Sequence, residues 1–155
     1  MLQPLTSILR HWKKILLGVF AVGLAIQLIP VDRSAPPTEA EVPATPEVRA
    51  ILSKACYDCH SNQSVWPWYG HVAPMSWLVA RDVHEGRRAM NYTAWNRLPP
   101  AKQIRRFRQS WKEVDEGEMP LWFYLPMHPQ ARLSDAEKAV LRQWALSMAG
   151  DSVAH

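Results

Sequence analysis

Two cysteines and a histidine occur within five residues in the stretch 55–60, which reads ACYDCH. Cys56 and Cys59 are the only cysteines in a chain of 155 residues, and His60 follows Cys59 directly. This spacing suits three kinds of chemistry: a redox-active dithiol, one half of a zinc site, or the covalent attachment of a haem. The rest of the sequence has to discriminate between these three.

The surrounding sequence gives little support to a dithiol or to zinc. A thioredoxin-like dithiol occurs near a βαβ pattern, whereas Cys56 and Cys59 come at the end of a predicted helix with no strand-like alternation around them. A structural zinc site needs four ligands, usually with cysteine predominating. No second close ligand pair has zinc-like spacing, although histidines that could complete a set are present: His60, His71, His84 and His128.

Cys-x-x-Cys-His is the attachment signature of c-type haem. Cys56 and Cys59 lie on one face of a helical turn, from which both sulfurs can form thioethers with the two vinyl groups of a haem. His60 is then placed to bind the iron as the proximal axial ligand. The motif therefore predicts one covalently bound haem c per chain.

Met119 is the preferred candidate for a second axial ligand of the iron. It stands in EGEMPLW, and the pattern from there to a capped last helix resembles the end of class I cytochromes c. Met and His are the usual sixth ligands of electron-transfer haems. Several alternatives stay open, including a role of Met119 as core filler and ligation by Met127, Met75, His71 or His128.

An aromatic segment follows the attachment motif. Trp66, Trp68 and Tyr69 offer apolar area that could form one wall of a haem pocket, and their N–H and O–H groups could reach its propionates. Core packing without haem contact is the alternative. Two roles are open to the nearby arginines, pairing with propionates or facing solvent: Arg81, Arg87 and Arg88.

The N-terminal segment predicts a membrane anchor. Residues 15–31 form an apolar run interrupted by Gln27, at the lower end of the length that a membrane-spanning helix needs. Lys13 and Lys14 precede the run, so the positive-inside rule keeps residues 1–14 in the cytoplasm and exports the remainder, across an inner membrane into the periplasm. A cleaved signal peptide is the alternative, but QLIPVDRSAPP is a poor cleavage site.

The rest of the chain divides into a linker and one domain. Residues 32–46 are rich in Pro, Ala and Glu and predict an extended spacer with little to bury. Residues 47–155 predict a small all-α, cytochrome c-like domain with irregular aromatic loops. Its expected helix signals are Pro46 in a first turn, an N-cap at Ser76, a stop at Gly117, a capping box of Ser134 and Glu137, and a stop at Gly150.

Charge says little about partners, since the formal net charge is +4. The basic stretch 102–112 lacks a nucleic-acid reader motif and is more typical of a solvated helix face, so no nucleic-acid partner is expected. Its residues Arg105, Arg106 and Arg108 could instead guide an acidic redox protein.

The globular part resembles the bacterial haem-binding domain family, which comprises small exported or membrane-anchored proteins similar to c-type cytochromes. The resemblance covers residues 45–149 and implies covalent haem binding by Cys56 and Cys59, axial ligation by His60 and Met119 as the best distal candidate. Gly70 and His71 stand where a smaller polar pair is expected. The residues that carry the resemblance are Cys56, Cys59, His60, Ser61, Asn62, the block 66–69, Ala73, Pro74, Ser76, Trp77, Gly86, Arg87, Asn91 and the block 117–120.

The sequence therefore favours a membrane-anchored monohaem c-type cytochrome that transfers electrons outside the cytoplasm and is not itself an enzyme. Two alternatives stay open. One is a haem-based sensor or peroxidase-like enzyme with an open or displaceable sixth iron site. The other is a thiol–disulfide or zinc protein without haem.

Overall fold

The computed structural model describes residues 3–150, with side chains from residue 11 onward. This range contains no β-strand, only an isolated bridge between Ala40 and Ala94, so the predicted all-α class is confirmed. Its helices are α1 (Gln3–Ala25), α2 (Pro46–Ala55), α3 (Tyr57–His60), α4 (Met75–Ala89), α5 (Pro100–Asp115) and α6 (Asp135–Met148). Short 3-10 helices occupy Ile26–Leu28, Trp68–His71, Trp95–Arg97 and Pro129–Ala131.

The chain divides into two compact units, each built from separate stretches of sequence. The anchor unit comprises residues 1–33 and 66–81, and the motif unit comprises residues 34–65 and 82–155. From the sequence, an anchor, a linker and a domain are expected one after another along the chain. The structure instead groups residues 66–81 with the N-terminal helix, because long-range contacts join these two stretches.

The anchor unit contains the apolar N-terminal helix. Its stretch His11–Leu28 is long and apolar enough to cross a membrane, judged by length and composition, and its side chains are not buried against the rest of the protein. A signal sequence near an N-terminus has the same properties. The identification of residues 15–31 as an anchor thus stays a prediction.

Gln27 ties the end of the apolar helix to a distant segment of the anchor unit. Its Nε2 donates to the carbonyl oxygen of Ala73 at 3.2 Å, and its Oε1 accepts from the N–H of Ala73 at 2.9 Å. Arg33 adds a second link by donating from Nε to the carbonyl oxygen of Gly70 at 3.2 Å. One side-chain amide therefore satisfies both backbone groups of a buried residue 46 positions further along the chain.

The core of the motif unit is aromatic. Tyr92 stacks between Tyr57 and Trp95, with ring centroids 5.9 and 6.2 Å apart. Phe107 of α5 packs against Trp95 at 4.8 Å and edge-on against Trp144 of α6 at 5.3 Å. Aromatic rings bury a large apolar area each, so this cluster joins α3, α5 and α6 into one core.

Part of the expected linker belongs to this core. The N–H of Val42 donates to the carbonyl oxygen of Tyr92 at 2.7 Å. The N–H of Trp95 donates to the carbonyl oxygen of Ala40 at 3.0 Å. Val42 is only 1% exposed, and Trp144 Nε1 donates to the carbonyl oxygen of Pro43 at 2.9 Å. Residues 32–46 were expected to form an extended spacer with little to bury. In the structure, residues 39–43 instead pack as part of the motif unit.

Most of the expected helix boundaries are confirmed. Ser134 and Glu137 form the capping box of α6. Gly117 and Gly150 follow α5 and α6 with φ of 76° and 74°, a left-handed conformation that glycine adopts without a Cβ penalty. The N-cap at Ser76 is wrong: α4 already begins at Met75, and the N–H of the buried Ser76 donates to the carbonyl oxygen of Val72 at 2.9 Å.

Candidate functional site

The cysteine motif lies on a single helical turn in the motif unit. α2 ends at Ala55, and α3 continues from Tyr57 to His60. The carbonyl oxygen of Cys56 accepts from the N–H groups of Cys59 and His60 at 3.2 and 2.9 Å, which closes the turn. Both cysteines are free thiols and half-buried. The three residues singled out by sequence are therefore held close together.

The surroundings of the two thiols are unlike those of a reactive dithiol. Burial, and then the nearby Cys59, raise the pKa of the Cys56 thiol to about 12. Burial, and then the carboxylates of Asp58 and Asp82, raise the pKa of the Cys59 thiol to about 12. Redox-active cysteines need a lowered pKa so that the thiolate is present at neutral pH. This environment argues against a thiol–disulfide enzyme.

His60 is oriented by a backbone carbonyl. Its Nδ1 lies 3.1 Å from the carbonyl oxygen of Met90, so the tautomer that donates from Nδ1 is favoured. Burial lowers the pKa of the imidazole, although the carbonyls of Met90 and Gly86 oppose this effect. A neutral ring with Nδ1–H held by a carbonyl presents Nε2 to a metal. The Met90 carbonyl thus fixes the orientation of the His60 ring, and ligation of iron by His60 stays a prediction.

Gly86 allows α4 to pass directly against the cysteine motif. A Cβ added at Gly86 would lie 2.5 Å from the carbonyl oxygen of Cys59 and 3.0 Å from its carbonyl carbon. Both of these neighbours are backbone atoms, which cannot rotate away as a side chain can. Only glycine fits this close approach.

A buried polar network holds the backbone that follows His60. Thr93 Oγ1 accepts from the N–H of Asn62 at 2.7 Å, and Asn91 Nδ2 donates to Asn62 Oδ1 at 2.7 Å. Asn91 Oδ1 in turn accepts from the N–H and the hydroxyl of Thr93 at 3.0 and 2.9 Å. The network joins the segment after His60 to the segment after Met90, whose carbonyl orients the His60 ring.

Arg87 reinforces the same region. It donates from Nε to the carbonyl oxygen of Ser61 at 2.7 Å and from its two terminal nitrogens to the carbonyl oxygen of Ser34 at 2.6 Å and Ser64 Oγ at 3.0 Å. Its guanidinium thus holds the backbone after the motif. This role differs from the two expected from the sequence, which were pairing with haem propionates and facing solvent. Backbone acceptors cannot be recognised in a sequence, which is why this role was missed.

The loop after α5 is also tied to the motif. Tyr124 donates its hydroxyl to Asp58 Oδ2 at 2.6 Å, and the other carboxylate oxygen of Asp58 accepts from the N–H of Val65 at 3.1 Å. The Tyr124 ring stacks on His128 with centroids 3.8 Å apart and planes inclined by 6°. This bond connects a residue inside the Cys-x-x-Cys sequence to the loop that carries Met119.

Met119 is placed by the end of α5. Gly117 reverses the chain direction there, and the N–H of Met119 donates to the carbonyl oxygen of Glu113 at 3.0 Å. Its side chain is half-buried within the same unit as the cysteine motif. Ligation of iron by Met119 stays a prediction.

The predicted haem-wall residues lie in the anchor unit. Trp68 is exposed and meets Tyr69 edge-on at a centroid distance of 5.8 Å, and Trp66 lies beneath Arg33. The role of Trp66, Trp68 and Tyr69 beside a haem stays a prediction. Among the described residues, no three or more His, Cys, Asp or Glu side chains cluster closely enough to hold a metal ion. The zinc alternative therefore gains no support.

Three residues beside the cysteine motif have no clear signal in the sequence or were not expected there: Met90, Thr93 and Tyr124. Met90 acts on His60 through its carbonyl, so the identity of its side chain gives no signal. Thr93 could have been found, because Asn-x-Thr is a pattern in which the Asn side chain bonds to the backbone two residues later. Tyr124 meets Asp58 only through the tertiary fold.

Comparison with known proteins adds one match. The family described as Haem-binding domain matches residues 21–147, more than four-fifths of the chain. The matched range includes the cysteine motif, the polar network and Met119. No curated protein and no solved structure matches the chain. The protein is thus a member of the haem-binding domain family.

Proposed function

We propose that this protein is a membrane-anchored monohaem c-type cytochrome that carries electrons outside the cytoplasm. Haem binding follows from family membership, whereas covalent attachment and electron transfer are the proposal. The observation that carries it is the orientation of His60, whose Nδ1 is held by the Met90 carbonyl on a turn that also bears two free thiols.

The residues present fit a covalently attached haem. Cys56 and Cys59 would form the two thioethers, His60 Nε2 the proximal bond to iron and the Met119 sulfur the distal bond. Bound haem supplies a one-electron redox couple. A carbonyl that accepts from the Nδ1–H of a ligating histidine fixes its tautomer and increases its basicity, which is the role assigned to Met90.

Other residues of the chain have supporting roles in this proposal. Arg87 and the Asn62–Asn91–Thr93 network hold the backbone on both sides of His60. Tyr124 holds the Met119 loop against the motif.

The location follows from the proposed anchor. Residues 15–31 would cross the inner membrane once, with residues 1–14 in the cytoplasm and the haem domain of residues 47–155 in the periplasm. The apolar stretch His11–Leu28 supports this arrangement. An acidic redox protein would dock near Arg105, Arg106 and Arg108 of α5. If replacing these arginines by Gln leaves the electron-transfer rate and its salt dependence unchanged, this docking site is wrong.

Optical spectra test the proposal. Full-length protein would be matured in a periplasm with haem-attachment machinery, as wild type, Met119→Ala and Met127→Ala, and recorded oxidised and reduced. We expect a c-type reduced spectrum in all three and a weak far-red sulfur-to-iron band that is absent only from Met119→Ala. Met127 is the matched control because it is an exposed methionine of the same loop.

Each other outcome has a definite meaning. Loss of the far-red band in Met127→Ala instead would assign the distal bond to Met127. A c-type spectrum without that band in the wild type, together with rapid carbon monoxide binding, would favour the sensor or enzyme alternative. Protein without covalent haem would refute the proposal.

A further inference from the structure

The anchor unit exposes an apolar surface beside the end of α1. Its five side chains, called the interface patch, are between 37% and 72% exposed: Trp68, Val72, Met75, Trp77 and Leu78. Met75 and Leu78 are three residues apart in the first turn of α4 and therefore lie on one helix face. Large side chains of this kind rarely remain together in water without a partner.

The position of the interface patch is fixed by Gln27. This residue lies at the end of the apolar stretch His11–Leu28, and its amide forms two hydrogen bonds with the backbone of Ala73. Ala73 is at the centre of the patch in sequence, because no member is more than five positions away from it. Along the chain, the patch residues therefore lie on both sides of the point where the segment 66–81 meets the helix end.

The length of the apolar stretch decides where that point lies relative to a membrane. His11–Leu28 has 18 residues, and at a rise of about 1.5 Å per residue it spans about 27 Å. This is close to the thickness of the hydrocarbon core of a bilayer, about 30 Å. If residues 15–31 cross the membrane as proposed, Gln27 lies four residues, about 6 Å, before the outer end of the span. Gln27 and Ala73 then lie close to the outer boundary, where the hydrocarbon meets the lipid headgroups.

We propose that the interface patch is embedded in the headgroup region of the same bilayer that α1 crosses. The inference rests on the proposed membrane anchor. Tryptophan has an apolar body and a polar N–H, and it is enriched where one end of the ring is apolar and the other is hydrated. The phospholipid surface thus covers Trp68, Trp77 and their aliphatic neighbours, and for Trp68 this environment replaces the role beside a haem that the sequence predicts.

Spin labels on the full-length haem protein test this placement. Single cysteines would replace Val72 and Leu78 in the interface patch, Val19 in α1 and Ala101 in α5, and each would carry a nitroxide. The protein would be reconstituted in vesicles of phosphatidylcholine and phosphatidylglycerol. Accessibility to oxygen and to a water-soluble nickel complex would then be measured at each label, since oxygen concentrates in the bilayer and the nickel complex in water.

The expected result is an oxygen-to-nickel accessibility ratio severalfold higher at residues 72 and 78 than at residue 101, and highest at residue 19. A high ratio at residue 19 with ratios at 72 and 78 equal to that at 101 would leave the anchor intact and overturn the interface patch. A low ratio at residue 19 would overturn the anchor and the patch together. Repeating the series with Cys56→Ser and Cys59→Ser makes the result independent of covalent haem attachment.

Discussion

Gly86 determines how closely α4 can approach the cysteine motif. An added Cβ would lie 2.5 Å from the carbonyl oxygen of Cys59, which is far inside van der Waals contact. Any larger residue must move the turn that carries Cys59 and His60, and inserting even one methyl group into a packed site typically costs about 1–3 kcal/mol. The geometry of the motif thus depends on a residue without a side chain.

We expect Gly86→Ala to reduce haem attachment severalfold and to lower the melting temperature. The matched control is Gly70→Ala, because a Cβ there would have its nearest neighbours at 3.5 Å, an ordinary contact distance. Covalent haem per chain, measured from the absorbance of the denatured protein, and thermal unfolding give the two readouts. Equal haem content in Gly86→Ala and the wild type would show that the close approach is not needed for attachment.

The closeness of the candidate site residues could be predicted from the sequence only where residues near in sequence are also near in space. Cys56, Cys59 and His60 share one turn, so their spacing alone brings them together. The partner of His60 Nδ1 is a carbonyl 30 residues away, and it depends on how α4 packs against α3. Met119 could be proposed as a ligand from its loop, but its placement against iron depends on the tertiary fold.

At the scale of elements, helix boundaries set by neighbouring residues could be predicted, whereas those set by other contacts could not. α6 could be predicted because its capping box involves only Ser134 and Glu137, three residues apart. Ser76 has an equally suitable side chain, yet it is buried inside the first turn of α4, which begins one residue earlier, at Met75. A cap signal in the sequence is local, whereas the start of α4 is set by the preceding turn at Val72.

The loop that carries Met119 depends on the Tyr124–Asp58 bond, which predicts the behaviour of Tyr124→Phe. The variant keeps the ring that stacks on His128 but loses the 2.6 Å hydrogen bond to Asp58. Hydrogen bonds to charged groups contribute about 1.5–3 kcal/mol. We expect normal haem attachment, but the far-red sulfur-to-iron band should disappear at a lower temperature than in the wild type.

The exposed Trp122 of the same loop offers the control Trp122→Phe, which should leave the melting of the far-red band unchanged. Identical melting of the band in Tyr124→Phe and the wild type would show that the loop is held by other contacts. Loss of haem attachment in Tyr124→Phe would instead mean that the bond supports the cysteine motif itself.

At the scale of the whole molecule, the helical class could be predicted from periodicity, but the division into two units could not. The motif unit incorporates residues 39–43, and the anchor unit incorporates residues 66–81. Composition alone marked residues 32–46 as a linker, since their prolines outweigh the single buried Val42. Backbone pairing with residues 92–95 is invisible in the sequence.

Val42→Ala tests whether the former linker stabilises the motif unit. Removing two buried carbons and leaving a small cavity should lower the free energy of unfolding by about 1–3 kcal/mol. The control is Val65→Ala, since Val65 is an exposed valine of the same unit and its loss should cost little. Denaturant unfolding of the full-length protein in detergent, followed by tryptophan fluorescence, gives both values. Equal midpoints for the two variants would contradict the packing of residues 39–43.

The pairing of Gln27 with Ala73 has a practical consequence for producing the protein. A truncated version that starts after residue 31 would be the usual choice for a soluble sample. Truncation would remove the amide that satisfies both the N–H and the carbonyl of Ala73, a buried residue, and such groups are costly to leave without partners. It would also remove the helix next to the exposed Trp68 and Trp77, and exposed apolar side chains favour association. Full-length protein, which keeps Gln27 beside Ala73, is therefore the sample whose spectra and stability should be measured.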